Sequence, residues 1–280
     1  MDQGTYASAR REEVDIEANK PLGHGQDRSY QDAGYEQAYH GDGGYAPTYE
    51  DEPGPTLDSY DIIVRQGFVR KVFGILTLQL GVTFSFVLLC ALHKPTREYM
   101  NPEVRTWPFT LGMILTFGSL IGMMCCGNVM RVYPTNYIFL TVFTLAETLM
   151  LGSTSAMYDA QSVSMACGTT FAIVAALTVF AMQTKYDFTG MGPYLLCALW
   201  GMVMYSFIAM FIGGGTGTLY AFFGTILFSF YIVYDTQIIV GGKHRKYQIG
   251  VDDYVFAAMA LYLDIINLFL YLLQLFGNRN

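Results

Sequence analysis

Charge is what this sequence has least of: 14% of its residues are Asp, Glu, Lys or Arg, while 52% are hydrophobic. An ordinary soluble domain is about a quarter charged. A chain of 280 residues can bury a sufficient core in water without that bias. The apolar excess therefore calls for a second solvent, and lipid is the simplest. Metal-binding patterns are missing as well. Cys90, Cys125, Cys126, Cys167 and Cys197 all fall inside or at the ends of apolar stretches, where a thiol behaves as a small hydrophobe. No CxxC or Cys/His spacing suggests zinc. His24, His40, His93 and His244 are scattered over polar segments and form no metal cage. G-x-S-x-G, H-E-x-x-H and P-loop signatures are absent, and the glycine run from Gly213 to Gly217 lacks the Lys-Ser/Thr that phosphate binding needs. These absences argue against an enzyme, and no cofactor is expected.

Basic surface is lacking too. Residues 1–60 carry four Lys/Arg against thirteen Asp/Glu, a net of −9, which leaves +2 on residues 61–280 of the total −7. A nucleic-acid partner is not supported. The first 60 residues are rich in Gly, acids and tyrosines (Tyr30, Tyr35, Tyr39, Tyr45, Tyr49) and show no apolar periodicity. Such a segment cannot bury enough surface to offset its ordering entropy, so a disordered acidic tail is predicted there. No cleavable signal peptide is expected, because the first hydrophobic run begins near Val72.

What is present is a series of apolar runs at about 72–92, 107–126, 137–157, 162–182, 194–214, 218–240 and 254–275. Each approaches the roughly 20 residues that cross ~30 Å of hydrocarbon as a helix, and lipid leaves helices as the sensible form. The chain is predicted to be an all-α integral membrane protein with seven transmembrane helices in residues 61–280. The polar turn at Tyr158-Asp159-Ala160-Gln161 and the glycine-rich turn at 213–217 each suggest a helical hairpin. Orientation follows from Lys and Arg beside the spans. A cytoplasmic N-terminus places eight of them inside (Arg65, Arg70, Lys71, Arg131, Lys185, Lys243, Arg245, Lys246) and four outside (Lys94, Arg97, Arg105, Arg279). Gly118 and Gly122 make a small-xxx-small pair that suggests close helix packing.

Ionisable side chains within the spans are Glu147, Asp235 and Asp264. Each is costly in hydrocarbon unless it faces the bundle interior or water. For Glu147 a structural hydrogen-bonding role and a functional one are both open. Asp235 and Asp264 lie on the last two, antiparallel spans, roughly 8 and 15 Å from the same membrane edge at 1.5 Å per residue. Modest tilt brings them level, and two carboxyl groups close together in low dielectric tend to share a proton. Asp264, Asn267, Tyr271 and Gln274 follow at i, i+3, i+7 and i+10, one face of a helix. That polar stripe is a candidate pathway lining, extended on the sixth span by Tyr231; interhelical hydrogen bonding is the plainer reading. The cluster Lys243-His244-Arg245-Lys246 either meets anionic headgroups or marks topology alone.

The chain also resembles the Bax-inhibitor-motif family of membrane proteins, in its lifeguard branch. The matching stretches run from Arg65 to Leu80 (RQGFVRKVFGILTLQL), from Gln183 to Gly190 (QTKYDFTG), from Tyr234 to Gln237 (YDTQ) and from Ala260 to Leu270 (ALYLDIINLFL). The resemblance covers residues 60 to 280. It implies six helices wrapped around a central, last one. It also implies a calcium leak from an intracellular store, in the endoplasmic reticulum, Golgi or a vacuole or lysosome, with Ca²⁺ as permeant ion. The family's pH-sensing carboxylate pair maps onto Asp235 and Asp264, which would also be the transient ligands of Ca²⁺. A basic latch found in some relatives has Arg131 as its candidate here. Suppression of cell death, and binding to death-regulating or calcium-channel membrane proteins, are implied as well. The residues thus leave two readings from different classes: a proton-gated cation pathway, and a membrane scaffold whose aspartates only lock the bundle. A seven-helix receptor is a weaker third, since the usual receptor signatures are missing.

Overall fold

A computed structural model of the chain describes residues 57–125, 132–212, 217–242 and 245–278. Residues 1–56 of the predicted tail, the candidate latch Arg131, and Lys243 and His244 of the basic cluster lie outside the described residues. The described chain forms eight α-helices: α1 (Leu57–Leu92), a short surface helix α2 (Lys94–Met100), α3 (Trp107–Cys125), α4 (Thr135–Ser155), α5 (Ala160–Gln183), α6 (Gly192–Ile212), α7 (Thr218–Val240) and α8 (Tyr254–Phe276). No strand occurs among the described residues. Six helices are long and apolar enough to cross a membrane: α1, α4, α5, α6, α7 and α8. The apolar stretch of α3, Trp107–Met123, is shorter.

The helix ends follow local chemistry. Asp159 caps α5 by accepting the Ser162 N–H at 2.6 Å, which satisfies one of the donors a helix start leaves open. Gly241 (φ +64°) and Gly242 (φ +121°) end α7 in a left-handed conformation that other residues adopt only with strain. α1 is the helix that departs from the reading of apolar runs, beginning fifteen residues before the predicted 72–92. The continuous apolar run starts near Val72, but the burial stripe Phe68, Val72, Leu76 has helical spacing, so the helix continues beyond the apolar run on the strength of one packed face. Residues 57–60, assigned above to the tail, are its first turn.

α8 is the centre. Of its most apolar stretch 67% is buried, against 6% for that of α6. α1, α4, α5 and α7 pack on α8, whereas α3 packs on α4, and α6 packs on α7. The arrangement therefore differs from six helices wrapped around one: α3 and α6 form an outer layer. Gly112 explains where α3 sits, because a Cβ there would lie 3.0 Å from the backbone of Ala146 and Met150. The predicted pair plays no such part, with nothing within 4 Å of a Cβ on Gly118 and only the Phe139 ring, at 3.7 Å, near one on Gly122.

Polar side chains inside the bundle are paired across helices. Gln79 Nε2 donates to Thr144 Oγ1 at 2.9 Å. The Thr83 hydroxyl meets Thr148 at 3.0 Å and Tyr262 at 2.9 Å. Thr144 and Thr148 also donate back to their own helix at Leu140 O and Thr144 O. This ladder ties α1, α4 and α8 together at roughly 0.6 kcal/mol per interhelical bond, the average scale measured inside membranes.

Helix direction alternates, giving the bundle two ends. The basal end holds the first turns of α1, the end of α5 and the α7–α8 connection; Arg65 and Arg245 tie these together. The apical end holds the α4–α5 turn, where Asp159 N–H donates to Asn278 O at 3.2 Å and Asn278 N–H donates to Ser162 Oγ at 3.0 Å. The end of the described chain thus lies opposite Arg65.

Candidate functional site

Asp235 stands five residues before α7 stops at Val240, and Asp264 ten residues after α8 starts at Tyr254. Equal helix ends would leave the two at different heights. The two side chains instead lie beside each other on the wall of one cavity. That requires α8 to begin about five residues, roughly 8 Å, below the level at which α7 stops. The connection makes this offset possible: it reverses at Gly241 and Gly242 and runs back past the last turn of α7, with Ile249 N–H donating to Ile238 O at 3.3 Å.

Asp264 is only 6% exposed, and its Oδ2 has no protein hydrogen-bond partner. Asp235 is half-buried. Both line a cavity of about 500 Å³ whose other polar residues are Tyr231, Tyr234 and Asn267. Asn267 Nδ2 donates back to Leu263 O at 2.8 Å, which fixes the amide on the cavity side of the helix.

The remaining predicted residues are placed elsewhere. Tyr271 is outside the cavity. Its ring stacks on Phe228 (centroids 5.7 Å, planes 25° apart), and its hydroxyl meets Tyr220 at 3.3 Å. Tyr220 in turn meets Ser206 of α6 at 2.5 Å. Tyr271 therefore closes the apical side of the aspartate cavity rather than lining it. Gln274 is half-buried one turn further on. Glu147, only 2% exposed, lies on the far side of α8 from the aspartates, beside Thr116 of α3 and near Tyr262. Tyr262 and Asp264 are two residues apart, about 200° around a helix, so a group near one is turned away from the other. Glu147 lies near Tyr262 of the hydroxyl ladder and does not line the aspartate cavity.

Reading the spans for intramembrane charge missed the basal end, where Arg65, Gln237, Asp187 and Arg245 build a network. Gln237 is fully buried. Its Oε1 accepts the Phe188 N–H at 2.7 Å, and its Nε2 donates to Tyr186 O at 3.0 Å. Arg245 donates to Thr184 O at 2.9 Å, to Ala181 O at 3.2 Å and to Tyr186 O, placing a cation on the carbonyl end of α5. Asp187 Oδ1 accepts from the Thr189 N–H and hydroxyl at 3.0 and 2.7 Å, and Oδ2 accepts the Lys246 N–H at 2.8 Å. The available signal was that Arg65, Asp187 and Gln237 each stand inside one of the four matching stretches.

Asp187 lies outside the spans. Partial desolvation works to raise its pKa, but the hydrogen bonds from Thr189 and Lys246 and the nearby Arg245 charge outweigh it and hold the carboxyl below its usual range. A depressed folded-state value means that the stabilisation is present above the unfolded value, about 3.9, and is lost as pH falls through the folded one. Asp187→Asn is expected to lower stability at neutral pH and to remove part of the destabilisation on acidification below about pH 4. Thermal melts of the full chain in detergent, from about pH 7 down to about pH 3, check this. An unchanged acid slope would exclude the contribution.

Residues 65–280 match the model of the family described as "Inhibitor of apoptosis-promoting Bax1", a match that starts at the basal Arg65. The chain is 32% identical over 247 residues to Protein lifeguard 3 of Homo sapiens, covering 83% of this chain and 77% of that protein. It is 31% identical over 248 residues to the Mus musculus Protein lifeguard 3, covering 84% and 79%. It is 34% identical over 218 residues to Bax inhibitor 1 of Schizosaccharomyces pombe, covering 76% and 77%. With six membrane-crossing helices, a paired buried aspartate site and a family match over residues 65–280, this chain is a multi-pass membrane protein of the Bax inhibitor family, similar to its lifeguard members.

Proposed function

We propose that this protein is a pH-sensitive calcium leak of an intracellular membrane that adjusts store calcium and thereby cell survival. The observation that carries this reading is the carboxyl pair of Asp235 and Asp264 on the wall of one cavity, with an unpartnered Asp264 Oδ2. Ca²⁺ binds through six to eight oxygens. Among the described residues no group of three or more His, Cys, Asp or Glu is assembled that could hold a metal. Two carboxyl groups with neighbouring tyrosine hydroxyls and an amide would hold Ca²⁺ weakly and let it go, which suits conduction better than storage. Deprotonation of the pair supplies the negative charge that attracts the ion; protonation withdraws it. On this reading α3 makes the seventh crossing, the N-terminus is cytoplasmic as the Lys/Arg bias indicates, and the basal end faces the cytosol. A role in cell survival is carried over from the family description, which names inhibition of apoptosis-promoting Bax1.

The test is calcium entry into dye-loaded liposomes that contain only the purified full chain. Flux that rises from about pH 6 to about pH 8, the range reached by strongly coupled buried carboxyls, is the expected result. No flux above protein-free liposomes at any pH would overturn the reading. It would leave the scaffold, for which the nearly unburied face of α6 offers an apolar surface to partners within the membrane.

A further inference from the structure

Arg65 reaches from α1 to three backbone carbonyls that no single helix could bring together. Its Nε donates to Val240 O at 3.2 Å, its Nη1 to Ile249 O at 2.6 Å and its Nη2 to Ile238 O at 2.5 Å, while its guanidinium lies 4.8 Å from the centre of the Phe68 ring. Ile238 and Val240 belong to the last turn of α7, directly after Asp235. Ile249 belongs to the connection 241–250, and both Ile238 and Ile249 line the aspartate cavity. One charged fork therefore staples the connection to the helix that carries Asp235, beside Ile249, the residue of the connection that lines the cavity. Charge-assisted bonds of this kind are roughly twice as strong as neutral ones, and the carbonyl end of a helix favours a cation.

The path of the connection depends on the same contact. Gly241 has φ +64°, and a Cβ there would meet Gln248 Oε1 at 2.6 Å and Arg65 Nε at 2.9 Å. The far side of the connection is held separately by Arg245 on the α5 carbonyls.

We propose that Arg65 is a positioning residue that holds residues 245–250 of the connection, through Ile249, as a floor beneath the aspartate cavity and keeps the pathway shut at its basal end. This rests on the calcium-leak reading. Among the described residues, the charged and titratable groups on the elements packed there are Arg70 and Lys71 of α1, Arg245, Lys246 and Tyr247 of the connection with Asp187 beside it, and Asp252, Asp253 and Tyr254 after it, with Lys71 lying over the Tyr254 ring. The donors of Arg65 end on carbonyls, which do not titrate, so the floor acts independently of the carboxyl pair. Two closures in series follow: a titrating pair in the membrane and a permanent clamp below it.

Arg65→Ala is expected to raise calcium flux about tenfold at every pH, the scale of one lost charge-assisted hydrogen bond, with the shape of the pH profile kept. Arg65→Lys replaces the fork by a point charge and should fall between the two. Gly241→Ala disturbs the clamp from its other side and should raise flux with Arg65 intact. A second readout does not need flux: a cysteine at Ala260 on the cavity wall, in a chain whose five native cysteines are replaced, labelled by a membrane-impermeant maleimide from the basal side. Labelling should be slow with Arg65 present and about tenfold faster without it. Faster labelling in Arg65→Ala than in the wild type, with no flux in either, would keep the floor and sink the leak. Unchanged labelling and flux in a monodisperse Arg65→Ala protein would overturn the floor. If that variant does not fold, unchanged labelling and flux in Arg65→Lys and Gly241→Ala overturn it equally.

Discussion

Asp235→Asn and Asp264→Asn, each alone, are expected to flatten the pH dependence of calcium flux between about pH 6 and 8, because the remaining carboxyl no longer faces a like charge. Asparagine keeps the shape and part of the hydrogen bonding while removing ionisation, so packing in the cavity is preserved. The two sites are not equivalent in burial. Asp264 is 6% exposed with an unpartnered Oδ2, whereas Asp235 is half-buried. Asp264→Asn should therefore lose the larger share of flux, since it removes the oxygen that has no other partner. The double substitution should resemble the worse single one, as residues that act as a unit are not additive. Wild-type-like pH dependence in a folded double mutant would sink the carboxyl-pair mechanism. If the aspartates only locked the bundle, the same variants would lower thermal stability and reveal no pH-dependent flux to lose.

Gly224→Ala is expected to damage the packing of α7 on α8. A Cβ at this position would stand 2.5 Å from Tyr271 Cδ1 and 2.6 Å from Cε1 and Cγ, distances that real atoms do not adopt. The ring has nowhere simple to go, because Phe228 stacks on it and Tyr220 meets its edge, each with centroids 5.7 Å away. Replacing glycine by alanine within a helix gains about 1 kcal/mol of propensity, while overpacking a tight core costs about 1–3 kcal/mol or more. Overpacking wins here, and a net loss of about 1 kcal/mol is expected. The comparison of thermal melts for Gly224→Ala with and without Tyr271→Ala isolates the cause. Removing the ring should make Gly224→Ala nearly harmless, and equal losses in both backgrounds would locate the damage elsewhere. Gly168, at which a Cβ would meet nothing within 4 Å, serves as the helical control.

Several levels of this molecule were open to reading from the residues. Runs of apolar side chains placed seven of the eight described helices, the short α2 excepted, with ends within about two residues for all of these but α1. The exception arose because the first part of α1 is held by a single stripe through Phe68, which a search for continuous apolar runs does not register. Asp235 and Asp264 stood out because ionisable groups are rare in hydrocarbon, a cost visible in composition alone. The polar stripe on α8 was likewise legible as a helical period, yet its members divide by height: Asp264 and Asn267 line the cavity, while Tyr271 packs against α7 above it. A stripe defines an angle around the helix, not the depth of the opening it faces.

Glu147 marks the limit of such reasoning. By the criterion that singled out the aspartates it qualified equally, but α4 meets α8 on the Tyr262 side, where Phe143 packs on the Tyr262 ring, opposite Asp264. Which side of a central helix a neighbour occupies is set by packing and by connection lengths, not by the residue itself. The basal network had the converse problem. Arg65 looked like a topology signal, whereas its partners are backbone carbonyls of α7 and of a segment about 180 residues away in sequence, and carbonyls have no residue identity to read. Composition and periodicity by themselves thus determined the solvent, the helices and the rare charged positions, because each depends on the free energy of one side chain or one turn in lipid. The meeting of Asp235 with Asp264, the exclusion of Glu147 and the clamp on Arg65 were decided by tertiary structure alone, because they depend on the axial offset and facing of helices far apart in the chain.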